Sequence, residues 1–200
     1  MFNFKSITSA VLLSALVVGS AIAGDQNSTF KVDPKKSSLK WSASKVTGKH
    51  DGGLNVASGT IVTDGKRVTG GNFDIDMTSI TVRDVEDPGT NAKLVGHLKS
   101  PDFFSAEAFK TAKFEIMKVV PKSGNEYTVA GKMTIKGITK EVDFPATIIT
   151  TGKSVNATGK ITLDRTKWDI RYGSKQFFES IGDKAIHDDF VIDFVLVTGA

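Results

Sequence analysis

The stretch Lys93 to Phe104, reading Lys-Leu-Val-Gly-His-Leu-Lys-Ser-Pro-Asp-Phe-Phe, brings more unlike chemistry together than any other part of the chain. It holds apolar side chains at helical spacing (Leu94, Val95, Leu98), an imidazole (His97), two lysines, a Pro-Asp pair and a diphenylalanine. Leu94 and Leu98 are four apart and His97 is three beyond Leu94, so one helical turn presents all three to one side. Pro101 lacks an N–H and restricts Ser100, which ends that turn. Phe103 and Phe104 follow directly and need cover from water. Two kinds of chemistry fit such a segment: acid–base work by His97, or closure of an apolar lid over a guest.

The remaining imidazoles are His50 and His187, and none of the three histidines stands in a metal-ligand spacing. His187-Asp188-Asp189 has ligand-type side chains, but neighbours on a strand point to opposite faces. There is no Gly-x-Ser-x-Gly elbow, no phosphate-cradling Gly loop and no Cys at all. Asp74 and Asp76 share a strand face that reads as solvated. No cofactor and no metal are therefore expected, and no catalytic residue is assigned. The enzymatic alternative is a lipid-acting isomerase or hydrolase with His97 as its acid or base, because a dispersed triad leaves no local signature.

The elements that must position this segment begin after a leader. Lys5 precedes an apolar run from Ile7 to Val18, and Ala21-Ile22-Ala23 supplies small residues at the positions a signal peptidase reads. The run is shorter than the roughly 20 residues of a spanning helix. Cleavage after Ala23 is expected, with residues 1–23 a signal peptide, residues 24–200 a single domain, and a periplasmic or secreted location. The formal charge of +4 over 200 residues falls to +3 without the leader, and no run of like charges indicates nucleic acid. Without disulfides, the core and ladder hydrogen bonds must hold the exported domain together.

From Ser37 onward the chain alternates apolar and polar residues in long runs separated by short turns, the pattern of antiparallel strands with one buried face. Leu39, Trp41 and Ala43 share a face, and Lys45 continues their parity. Thr47 to Gly53 reads as a turn, Asp64-Gly65 as a hairpin, and Arg83 to Thr90 as an acidic loop ending in Pro88-Gly89. A second helical turn is expected around Ala106 to Phe109. Eight strands result, and a meander of that length avoids bare edges by closing on itself. The fold expected is all-β: an eight-stranded antiparallel up-and-down, lipocalin-like barrel, with short helical segments in the long connection before residue 112. A β-sandwich is the alternative. Trp41, Phe73, Ile75, Met77, Phe114, Met133 and Phe144 lie on the apolar parity of their strands and should face the interior. Gly71, Gly131, Gly159, Ala43 and Ala157 in the inward rows suggest that this interior is not filled everywhere.

The assembled motifs resemble the YceI-like family of polyisoprenoid-binding, lipocalin-like proteins. The resemblance rests on Val32-Asp33-Pro34 with Ser37, on Lys45-x-x-Gly48-x-His50-x-Gly52, on Phe73-x-Ile75-Asp76-Met77-x-Ser79-Ile80, on Lys93 to Phe104 and on Gly131 to Val142. It implies a barrel that binds a long isoprenoid, quinone or fatty-acid-like chain for periplasmic transport, storage or sequestration, as a monomer or homodimer with transient membrane contact. The apolar pore would use Trp41, Phe73, Ile75, Met77, Phe114, Met133 and Phe144, with Leu94, Leu98, Phe103 and Phe104 at its cover. Lys45, His50 and His97 would form a polar mouth. Lys45 departs from the family, whose members commonly carry His there, so ammonium replaces imidazole.

Overall fold

The structure, a computed structural model, describes residues 27–199; the leader read at 1–23 lies outside the described residues. The strands are β1 (Ser28–Lys31), β2 (Ser38–Lys45), β3 (Gly48–Thr63), β4 (Val68–Val82), β5 (Thr111–Pro121), β6 (Glu126–Ile135), β7 (Ile138–Thr151), β8 (Ser154–Asp164) and β9 (Ile186–Val197), with helix α1 (Pro88–Lys99) between β4 and β5. From β2 to β9 each strand pairs antiparallel with the next, and β9 returns to pair with β2. Eight strands therefore close into a barrel, and the two-sheet alternative falls. The extra strand β1 lies end to end with β2 along β3: β2 takes Gly48 to Leu54 and β1 takes Thr60 to Thr63.

Closure follows from the period-two rows, because each strand has one apolar face and only a closed wall buries all of them on one axis. Rings follow one another around the inner wall: Phe73 lies 6.3 Å from Phe114, Phe114 5.3 Å from Phe144, and Phe144 5.6 Å from Phe194. Burial of each such ring contributes roughly 1.5–3 kcal/mol. At one end of the barrel, the far end, short turns at 64–67, 122–125 and 152–153 join the strands. At the other, the capped end, the connections are 46–47, 83–110, 136–137 and 165–185.

Three expectations change. Gly48 to Gly53 belongs to β3 rather than to a turn, leaving Val46-Thr47 as the connection. The Gly52 backbone lies so close to the Thr81 carbonyl and the Trp41 indole that a Cβ would overlap both, so this glycine serves close approach. Pro88-Gly89 opens α1 instead of closing a loop: the Asp87 carboxylate accepts from Thr90 N at 2.8 Å and Thr90 Oγ1 at 2.6 Å, with Pro88 in the first turn where no N–H is needed. Around Ala106 to Phe109 there is a single turn closed on the Ser105 carbonyl and no helix. A 3₁₀ turn, Arg165–Trp168, also follows β8, capped by the Asp164 side chain.

Candidate functional site

The lumen is two chambers in line. The one toward the far end has a cavity volume of about 90 Å³, and every residue facing it is apolar, Phe73, Phe114, Phe144 and Phe194 among them. The one toward the capped end has a cavity volume of about 90 Å³ and is faced by Trp41, Met77, Leu98, Phe103, Phe104 and Phe190, with Arg165 and His187 in its wall. Leu54, Ile75, Met133 and Ile192 face both. Leu54, Ile75 and Ile192 are only half-buried although they line the lumen.

The wall glycines are not where the space lies. A Cβ on Gly131 would come 2.6 Å from Phe114 Cζ, and one on Gly159 would come 2.6 Å from Phe194 Cζ. Each glycine receives a ring laid flat against the neighbouring strand, which draws bulk back from the axis. The openness expected from these glycines is thus indirect: they give room to rings, and the rings in turn leave the centre free.

At the capped end, the chain leaving α1 doubles back. Phe103 N donates to Ser100 O at 3.1 Å, Phe104 N to Leu98 O at 3.1 Å and Ala106 N to Lys99 O at 2.9 Å. That hook turns Leu98, Phe103 and Phe104 into the chamber, with Phe104 edge-on to Phe190 at 6.3 Å. Phe103, His97 and Tyr172 form an aromatic trio with centroids 4.6–5.5 Å apart, and His97 Nε2 lies 3.1 Å from Asp102 Oδ2. Lys136 Nζ donates to Asp169 O at 3.1 Å and reaches Pro101 O at 3.5 Å, tying the two long connections together.

Ten of the residues expected at the pore, Trp41, Phe73, Ile75, Met77, Leu98, Phe103, Phe104, Phe114, Met133 and Phe144, line the chambers. Trp41 also donates its indole N–H to Thr81 O at 3.0 Å. Leu94 is not among the lining residues: α1 packs along β4, Asn91 Nδ2 fixes it to the Val82 and Val85 carbonyls, and Leu98 in its last turn reaches the lumen. The residues expected at the polar mouth each have partners of their own. His50 Nδ1 is 2.8 Å from Asp84 Oδ2 in a clamp that joins the start of β3 to the chain leaving β4. Lys45 follows a bulge at the end of β2, where the register against β9 shifts. His97 packs against Phe103 and Tyr172 and is not itself a lining residue.

Sequence reasoning missed Arg165, although it continues the inward parity of Ile161 and Leu163. Its side chain is 5% exposed. Nε donates to His187 O (3.1 Å), Nη1 to Ile170 O (2.9 Å) and Tyr172 O (2.8 Å), and Nη2 to Ile186 O (3.1 Å). Nη2 also sits 3.3 Å from Asp188 Oδ1, a charge contact without hydrogen-bond alignment. Burial pushes the guanidinium pKa down, against the upward pull of Asp188 and Asp164, and the group remains charged. With its N–H groups committed to the protein, it braces the 165–188 connection and offers little to a guest. Among the described residues, no group of three His, Cys, Asp or Glu side chains is placed to hold a metal ion.

A closed antiparallel barrel with an apolar lumen and a helical segment at one end is a lipocalin-like architecture. The chain belongs to the YceI-like family, whose domain matches residues 30–198. It is 33% identical over 96 residues to a UPF0312 protein of Serratia proteamaculans, covering 44% of this chain and 50% of that one. It is 30% identical over 108 residues to a UPF0312 protein of Photorhabdus laumondii, covering 50% and 56%. The chain spans about half the length of these curated relatives in the matched regions. Among solved structures, Burkholderia cenocepacia BcnA superposes with a TM-score of 0.66 at 24% identity, over 84% of this chain and 99% of that one. A structure described as a polyisoprenoid binding domain from Saccharophagus degradans gives 0.63 at 16% identity, over 86% and 98%. At these identities the likeness is one of fold.

Proposed function

We propose that this protein binds one long apolar lipid, a polyisoprenoid, isoprenoid quinone or fatty-acid-like chain, along its barrel axis, for transport, storage or sequestration in the periplasm. The observation that carries the reading is a lumen whose lining is apolar throughout one half and, in the other, apolar apart from His187 and an arginine already bonded to the backbone. Such a space cannot hydrogen-bond ordered water and favours hydrocarbon. The description of the Saccharophagus degradans domain as polyisoprenoid binding agrees with this reading. The leader with Ala21-Ile22-Ala23 supports export. Acid–base chemistry by His97 has less support, because that ring packs against Phe103 and Tyr172 and does not line either chamber.

The test is native purification from a periplasmic fraction followed by solvent extraction and mass spectrometry. A single lipid class, recovered chemically unchanged after incubation, is expected. Protein that carries no lipid, and takes up none when stripped and offered polyprenol, would overturn the reading.

A further inference from the structure

The two chambers meet at four side chains, Leu54, Ile75, Met133 and Ile192. They come from β3, β4, β6 and β9, so they approach the axis from separate parts of a closed wall. On the far-end side of this waist, the Phe114 and Phe194 rings are laid back on Gly131 and Gly159. On the other side, Ala112 of β5, paired with Ile75, withdraws the wall. The lumen is therefore relieved above and below the four residues and constricted by full-length side chains between them.

The constriction is passable. Leu54, Ile75 and Ile192 keep exposed surface although they line the lumen, which means that free space lies between them. Met133 differs in being 4% exposed. Its carbonyl accepts the Trp168 indole N–H at 3.2 Å, so its backbone is held from the capped end while its unbranched thioether retains rotamer choice. An adjustable side chain on a fixed backbone, facing three branched aliphatic residues, suits one flexible hydrocarbon chain, and the cavity volume of only about 90 Å³ on either side argues against two abreast.

We infer that this ring of Leu54, Ile75, Met133 and Ile192 is a gauge that selects single-chain lipids long enough to thread both chambers and rejects two-tailed lipids. The inference rests on the lipid-binding reading above and adds the determinant of length and girth.

The test offers lipid-free protein an equimolar mixture of linear prenols of graded length together with a diacyl phosphatidylglycerol, and reads the bound fraction by mass spectrometry. The wild-type protein should take the longer prenols and leave the diacyl lipid. Met133→Trp should lower the ratio of long to short prenol bound by about tenfold, because chains would be confined to one chamber. Ile75→Phe, a smaller insertion from another strand, should shift the ratio the same way and serves where the tryptophan variant fails to show a β-type circular dichroism spectrum. Met133→Ala should admit the diacyl lipid. A length profile that is the same in wild type and in a folded insertion variant, or diacyl lipid bound by wild type as readily as prenol, overturns the gauge while leaving lipid binding intact. No uptake of any lipid by the wild type overturns both.

Discussion

The two chambers share their strands and differ in how their ends are made. Toward the far end the wall is joined by turns of a few residues, and the lining is a period-two row of aliphatic and aromatic side chains. Toward the capped end, two long connections cross the opening, and side-chain ties that do not belong to the ladder hold them: Arg165 on four carbonyls, Trp168 on Met133, and Lys136 between Asp169 and Pro101. A ladder closes a barrel around its axis and does nothing for its ends. Where an end must be covered yet capable of opening, polar ties placed outside the strands do the covering, and they concentrate vulnerability in single residues.

The largest expected effect breaks that contrast at the capped end. Arg165→Leu would strand buried carbonyls and leave Asp188 without its counter-charge, costing about 3–5 kcal/mol in urea unfolding. A loss below about 1 kcal/mol would mean that the connection is held by packing alone. Next come matched truncations in the two chambers, Phe144→Ala and Trp41→Ala, each expected near 3 kcal/mol, the low end of the usual range because both rings border existing space. If Trp41→Ala costs far less in lipid-free protein, its ring serves the guest more than the wall.

The cover offers a kinetic contrast. Phe103→Ala combined with Phe104→Ala removes both rings of the hook, and lipid release followed by fluorescence exchange should accelerate about tenfold, equivalent to roughly 1.4 kcal/mol, with the β-type circular dichroism spectrum retained. Unfolding of the double variant, or unchanged release, would make the hook part of the core or a bystander. The smallest effect is on pH. The Asp84 carboxyl is pulled up by burial but more strongly down by the Asp51 amide, the His50 imidazole and its own amide, so its pKa lies below the ordinary value of 3.8. A folded-state pKa depressed in this way contributes stability that is present above the unfolded value and lost as pH falls through the folded one. Asp84→Asn should flatten the acid limb of the stability curve; an identical acid limb would show that the clamp contributes nothing.

The sequence revealed the wall far better than the ends. Phe73, Ile75, Met77, Phe114, Met133 and Phe144 could be placed because a strand with one buried face records its register in its own alternation. Arg165 obeys that alternation too, but its charge argues against an inward position until the carbonyls of 170, 172, 186 and 187 are seen around it. Pro88-Gly89 reads as loop in sequence because proline suits a turn as well as a first helical turn, and the deciding partner, the Asp87 carboxylate on Thr90, is a matter of geometry. Leu94 and His97 fell outside the chambers because the docking of α1 depends on Asn91 reaching back nine and six residues to the carbonyls of Val82, at the end of β4, and Val85, side-chain ties that no periodicity encodes.

The end-to-end placement of β1 and β2 along β3 bears on how the molecule is made. Asp33 N donates to Val197 O at 2.7 Å and Gly199 N to Lys31 O at 3.0 Å, so the seam joins segments from opposite extremes of the described chain. The β2–β9 ladder likewise pairs Ser38 with Val195. Each hairpin from β2 to β8 can zip locally, but the cylinder cannot shut until β9 has been synthesised. A nascent or truncated polypeptide ending before Ile186 would remain an open sheet with two bare, sticky edges, prone to pair with its neighbours. Pairing across so many residues also makes the final closure the slow step of folding. The strand that completes the container is thus also its safeguard against aggregation, and shortening it should trap the protein in inclusion bodies before any loss of lipid binding could be measured.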